Sequence, residues 1–338
     1  MAFMRKFHTI LQKSNSDICK IDCEDGINLS NYDINFNLIS QKKLLNGNFS
    51  FLDYWFDISL NDNIYGIVND KNGLLYSFNT KNNYIIKNKL LKYNHESKFI
   101  KFVYIKNISN CTHIIYYSFN ISTPYKGTLV HHYKQNHTWH TTIIDEITYN
   151  VLTNFVVTYD DNNIPTIFYY NLINGYEEVY FSRFINDSFS WSTPIQITHS
   201  KKSKIYLSVI RDSKNVYHIV FSENTYSKYY CTYINGKIDD NSFNAINSSV
   251  LSDSVACIFP IVFEFNNSIF VNWIEYQTLY TILSKNSGQT WSKVNILINS
   301  YDTPFVCCCY HNNLEYESIF NYFVLYMNEN STNILGTN

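Results

Sequence analysis

Cleaving a glycosidic bond needs two carboxyl groups facing each other, one as acid and the other as base or nucleophile. Asp57, Asp160, Asp161, Asp212 and Glu264 fall near the ends of apolar runs, where the strands of a sheet would carry them toward one mouth. The same positions suit residues that cap turns or face water, and that reading stands beside the catalytic one. Arg211 is the cation best placed to meet an anionic ligand, because it closes the apolar run Ile205–Ile210 and is followed by Asp212. Five histidines, His113, His131, His132, His137 and His140, crowd one stretch. Adjacent His131 and His132 must point to opposite faces of a strand and cannot share one ion. His137 and His140 flank Trp139 without a carboxylate nearby, so no metal site is assigned and no cofactor is implied.

Binding demands less than catalysis. Aromatic rings stack on sugar rings or anchor peptides, and Tyr54, Trp55, Trp273, Tyr276, Tyr226 and Tyr310 lie near loops or inner strands. Arg211, Asp212, Tyr54, Trp55, Trp273 and Tyr310 form the candidate ligand-binding set, and packing between repeats is the competing role for each aromatic. No residue type recurs at equivalent loop positions in every repeat, so a lectin with identical sites throughout is not expected.

The elements that would position these groups recur. Aromatic residues at 32, 84, 139, 191, 243 and 291 step by 52, 55, 52, 52 and 48 residues. An independent marker on the second run of each unit, at Ile64, His113, Ile164, Val216 and Ile269, steps by 49, 51, 52 and 53. A period near 50 with four short β-rich runs per unit is the pattern of propeller blades. The clearest unit contains the hairpin Ser284-Lys285-Asn286-Ser287-Gly288-Gln289-Thr290-Trp291. Here Asn286 can accept amide hydrogens of its own turn, Gly288 supplies a positive φ, and Trp291 starts the outgoing strand with its ring over the turn.

Ser284, Asn286, Gly288 and Trp291 resemble the Asp-box, or BNR repeat, of sialidase-like β-propellers, with Asn286 in place of the usual Asp. The resemblance covers about eight residues and implies a type of hairpin rather than an activity. A sialidase of that family would use three arginines on the sugar carboxylate, an Asp acid/base and a Tyr activated by a Glu. The chain has only Arg5, Arg183 and Arg211, with Arg5 in the terminal segment and Arg183 on a third strand, so the clamp does not assemble.

The 338 residues accommodate six such units as a single domain over 1–338. Residues 1–46 hold short β-like runs that would close the ring as outer strands of the last blade. Residues 47–300 give five blades, and 301–338 the inner strands of the last. Few Gly and Pro, 9 and 5, leave the turns to Asn, Asp and Ser. A formal charge of −2 argues against nucleic acid, and no apolar run reaches a membrane-spanning length or forms a secretory leader. Eight cysteines without zinc spacing read as buried free thiols in a reducing compartment, which places the chain in the cytoplasm. Deposition on a spore or cell surface without Sec export is the variant of that expectation. The sequence therefore predicts an all-β, six-bladed propeller of four-stranded antiparallel blades, the N-terminal strands completing the last. It would act as a non-catalytic module for a glycan or protein ligand. The alternatives are a sialidase-like or other glycoside hydrolase and a structural shell component.

Overall fold

A computed structural model describes residues 7–81, 84–108, 111–135, 138–239, 242–253, 256–299, 305–313, 325–328 and 335. Among the described residues there is no helix, and 27 strands form six sheets, the six blades of a β-propeller. The described residues fall into two compact units, one within Met1–Glu146 and Val306–Ser318, the other within Ile147–Phe305 and Ile319–Asn338.

The first unit contains β1 (Phe7–Gln12), β2 (Ile18–Asp22), β3 (Ile27–Tyr32) and β4 (Leu38–Leu45) as one antiparallel meander. The next blade is β5 (Tyr54–Ile58), β6 (Ile64–Asn69), β7 (Leu74–Lys81) and β8 (Tyr84–Lys92). The third is β9 (Lys98–Ile108), β10 (Cys111–Asn120), β11 (Lys126–Gln135) and β12 (Thr138–Thr148). In the second unit β13 (Val156–Tyr159), β14 (Pro165–Ile173) and β15 (Tyr176–Ile185) are followed by a fourth strand split into β16 (Ser190–Trp191) and β17 (Ile195–Gln196). Then come β18 (Lys204–Arg211), β19 (Tyr217–Thr225), β20 (Lys228–Ile238) and β21 (Phe243–Val250). The remaining meander is β22 (Ile258–Phe265), β23 (Ser268–Glu275), β24 (Thr278–Ser284) and β25 (Asn295–Asn299).

Chain ends share a sheet, as the sequence implied, but the division of labour differs. Residues 7–45 supply a full four-stranded meander, and β26 (Phe305–Asn312) adds a fifth strand parallel to β1, Phe7 opposite Cys307 and Gln12 opposite Asn312. The N-terminal blade was hard to see because β4, Leu-Ile-Ser-Gln-Lys-Lys-Leu-Leu, is exposed over most of its length and shows no strand alternation. β27 (Leu325–Asn328) lies in the second unit, where the Tyr326 hydroxyl donates to the Phe259 carbonyl at 2.8 Å. Of the expected last-blade segment 301–338, residues 301–304, 314–324, 329–334 and 336–338 lie outside the described residues, as do Arg5 and His137.

Second strands are buried on both faces because each blade is packed on either side, so they read as continuous apolar runs. Pro165-Thr-Ile-Phe-Tyr-Tyr170 and Tyr217-His-Ile-Val-Phe-Ser-Glu223 are buried throughout. Outer strands have one neighbour fewer, and β21 is largely exposed. Cores form between consecutive blades: Leu11, Leu29, Tyr54 and Phe56 in one, Phe168, Phe181, Leu207 and Phe221 in another. With Gly scarce, Asn and Asp take the turn positions. Asp160 accepts the amides of Asn162 and Ile164, Asp212 those of Lys214 and Val216, each at 2.8–2.9 Å. All eight cysteines are free thiols, and burial pushes Cys19 up to about 12. No helix among the described residues is long and apolar enough to cross a membrane.

Candidate functional site

A four-stranded meander puts its first and third turns at one end and its second turn, with the start of its inner strand, at the other. The candidate residues divide between these two ends.

At the first-turn end of the second unit, Arg211 closes β18 and grips Asp161 bidentately, at 2.9 and 3.0 Å. Arg183 on β15 donates to the neighbouring Asp160 at 2.6 Å. Two of the three arginines thus flank one turn, each engaged by a carboxylate. Asp212 is buried, and His218 Nε2 lies 3.0 Å from its Oδ2 while the other His218 nitrogen meets the Tyr233 hydroxyl at 2.7 Å. Burial works to raise the Asp212 carboxyl, but the bonds from His218 and two backbone amides hold it below the usual range. Glu264 is occupied by the Ser213 amide and hydroxyl at 2.9 and 2.7 Å.

The relay from Asp212 through His218 ends on the 284–291 hairpin. Ser284 Oγ accepts the Gly288 amide at 2.8 Å, and Asn286 Oδ1 accepts the Thr290 amide at 2.9 Å. Gly288 has φ +82°, and a Cβ there would sit 1.7 Å from the Tyr233 hydroxyl. Asn235 and Asn247 donate to the Ser287 and Gly288 carbonyls at 2.7 and 2.9 Å. Trp291 does not begin the outgoing strand, which starts at Asn295. Its ring meets the Tyr233 ring edge-on at 4.8 Å, joining the hairpin to the preceding blade.

In the first unit, Tyr54 is core and Trp55 packs against Tyr104 and His311, with centroids at 5.3 and 6.0 Å. The Tyr310 hydroxyl donates to Gln12 at 2.5 Å, and buried Asp57 takes Lys106 at 2.9 Å and faces His311 at 2.8 Å. Trp273, in the second unit, is buried, stacked on Tyr280, with its indole N–H on Glu275 at 2.6 Å. His113 and His131 stack in the third blade with ring nitrogens 3.1 Å apart, and burial lowers His113 to about 4. Among the described residues no three His, Cys, Asp or Glu side chains form a group able to hold a metal ion.

The second-turn end differs. Beneath it run ion pairs: buried Asp53 with more exposed Lys71 and Lys101 at 2.9 and 3.0 Å in the first unit, and fully buried Lys204 on Glu178 at 2.8 Å in the second. The inner strands enter through bulges at Phe102, Tyr206 and Phe259, three aromatic residues with φ of 54, 55 and 49°. Tyr206 and Phe259 pack together with centroids 4.0 Å apart. Farther out, Tyr226-Ser227 and Tyr276-Gln277 form two-residue turns between the pairs Thr225–Lys228 and Glu275–Thr278. All four turn residues have positive φ, at 54, 64, 46 and 71°. That is the type I′ shape, which favours Asn-Gly and costs other L-residues about 1–2 kcal/mol each. Tyr226 is 93% exposed and Tyr276 75%, so no burial offsets the strain. The sequence already marked these two tyrosines as near loops. Their turn conformation could not be read, because neither turn contains Gly.

No protein family and no curated protein matches the sequence. Solved structures do share the fold. A PL25 ulvan lyase superimposes with TM-score 0.62 at 9% identity, covering 98% of this chain and 93% of its own. An α-L-arabinanase of Penicillium chrysogenum gives 0.54 at 12%, covering 83% and 94%. The α-L-arabinofuranosidase Arb93A of Fusarium graminearum gives 0.52 at 10%, again covering 83% and 94%.

Proposed function

We propose that the protein is a carbohydrate-binding propeller that holds its ligand on the second-turn face without cleaving it. The observation that carries this reading is the exposure of Tyr226 and Tyr276 on turns whose conformation disfavours them. Strain kept at exposed positions is a mark of function rather than of folding. An aromatic face set among polar neighbours meets the C–H groups of a sugar's apolar side, while adjacent side chains hydrogen-bond its hydroxyls. Ser227 and Lys228 flank one ring, Gln277 and Thr278 the other. The propellers of similar fold are named for acting on polysaccharides or arabinosides, which favours a glycan over a peptide.

Non-catalytic binding is favoured over hydrolysis by the state of the carboxylates. Asp160, Asp212 and Glu264 are each tied to turn amides, and Asp57 to Lys106. A general acid or base must reach a substrate proton, and these groups are spent on the protein itself. We also read Ser284–Trp291 as an Asp-box-like hairpin, on the strength of the Ser284 and Asn286 bonds to its own turn. A glycan array probed beside a panel of chromogenic aryl glycosides and polysaccharide lyase substrates tests the reading. Saturable binding without product release is the expected result. Release of reducing ends, or of unsaturated sugars absorbing in the ultraviolet, would make the protein an enzyme.

A further inference from the structure

We infer that the ligand is a polymeric glycan engaged by several blades at once, through a tyrosine repeated at the second turns of the second unit. This rests on the carbohydrate reading above and extends it to ligand length. Tyr176, Tyr226 and Tyr276 are separated by 50 and 50 residues, one blade each. Tyr226 and Tyr276 occupy the first position of their turns, and Tyr176 immediately follows the turn Asn174-Gly175, where it pairs with Ile173. All three are exposed, Tyr176 at 39%. The same pitch reaches back by 51 residues to Tyr125, exposed in the turn before β11 of the first unit.

Blade 174–175 shows what the turn uses when folding alone decides. Asn174 and Gly175 have φ of 52 and 86°, the residues that tolerate these angles best. The two following blades hold the same backbone with Tyr-Ser and Tyr-Gln, and all three keep a tyrosine at or beside the apex. Composition alone supplies many tyrosines, but among the described residues only Tyr84, Tyr125, Tyr176, Tyr226 and Tyr276 are exposed, while others such as Tyr54, Tyr117, Tyr169 and Tyr233 are buried in strands. A tyrosine kept outward at or directly beside the second turn in three successive blades is a repeated contact point.

The chemistry between the rings selects the ligand. Tyr226 is followed by Ser227 and Lys228 and Tyr276 by Gln277 and Thr278, while Tyr176 lies beside Asn174 and opposite the exposed Ile173, so no ring belongs to a large contiguous apolar patch. A protein partner typically covers a continuous surface with an apolar centre. Isolated rings separated by hydrogen-bonding groups suit a chain of sugar units, each ring taking one apolar sugar face. Weak contacts linked through one polymer raise affinity through effective concentration, by about 10²-fold or more once two or three are engaged.

The test is calorimetric titration of the full chain with a length series, from mono- through hexasaccharide to polymer, of whichever sugar the array selects. Affinity per chain should climb about 10²-fold from disaccharide to polymer. Tyr176→Ser, Tyr226→Ser and Tyr276→Ser should each lower polymer affinity and remove one site from the monosaccharide stoichiometry, since each ring takes one sugar unit. Equal affinity across the series would overturn the multivalent inference while leaving carbohydrate binding intact. So would complete loss of all binding in one variant with none in the others. No binding of any sugar, with capture of a proline-rich or other peptide ligand instead, would overturn both.

Discussion

Gly288→Ala tests whether the hairpin–Tyr233 contact holds neighbouring blades together. The substituted Cβ would sit 1.7 Å from the Tyr233 hydroxyl and 2.6 Å from its ring carbon, with backbone φ at +82°. The positive φ alone costs a non-glycine residue about 1–2 kcal/mol. Tyr233 cannot retreat cheaply, because its hydroxyl bonds His218 at 2.7 Å and its ring carries Trp291. Displacing it leaves a buried polar group unsatisfied, at about 1–3 kcal/mol. The total loss is then about 2–5 kcal/mol. Gly175→Ala is the matched control, since Gly175 has φ +86° with nothing within 4 Å of its added Cβ. It should lose only the backbone part, about 1–2 kcal/mol. Urea unfolding of wild type and both variants, with the slope checked for constancy, measures the difference. Equal losses would refute the claim that Gly288 is required by Tyr233.

Further expectations follow from the buried charges and from the two ends of the blades. Lys204→Met leaves Glu178 buried without its cation, and should cost about 3–5 kcal/mol in urea unfolding. His113 is neutral in the fold because burial lowers it to about 4, against about 6.5 unfolded. The unfolded chain takes the proton first, so stability present above pH 6.5 should fall as pH drops toward 4, by up to about 3 kcal/mol. His113→Gln/His131→Gln should flatten that slope, and an unchanged slope would exclude these histidines as its source. Arg211→Ala breaks a pair whose Asp161 partner is mostly exposed, so it should change stability by less than about 1 kcal/mol.

The repeat was legible because period and burial leave separate traces. Second strands are packed on both faces, so Ile64, His113 and Ile269 sit in buried runs that mark each blade. The hairpin 284–291 was legible because Gly288 and Asn286 have few other conformational uses. The N-terminal blade was obscured by an exposed, lysine-bearing outer strand, and β26 by its parallel partner β1, hundreds of residues away in sequence. The candidate set shows a similar split. Arg211 and Asp212 were rightly placed at a strand end, but which end depends on the parity of strands in the meander. Tyr54 and Trp273 look the same in sequence as surface aromatics, and only packing tells them apart. Tyr226 and Tyr276 stood out as loop residues, yet their shared position emerged only with the register of the turns on either side.

The most direct measurement compares glycan affinity of wild type, Tyr226→Ser/Tyr276→Ser and Arg211→Ala by titration with the best array ligand. The second-turn face predicts at least a tenfold loss in the double tyrosine variant and wild-type affinity in Arg211→Ala. Loss of binding in Arg211→Ala with the tyrosine variant unaffected would contradict it, moving the site to the opposite end of the blades.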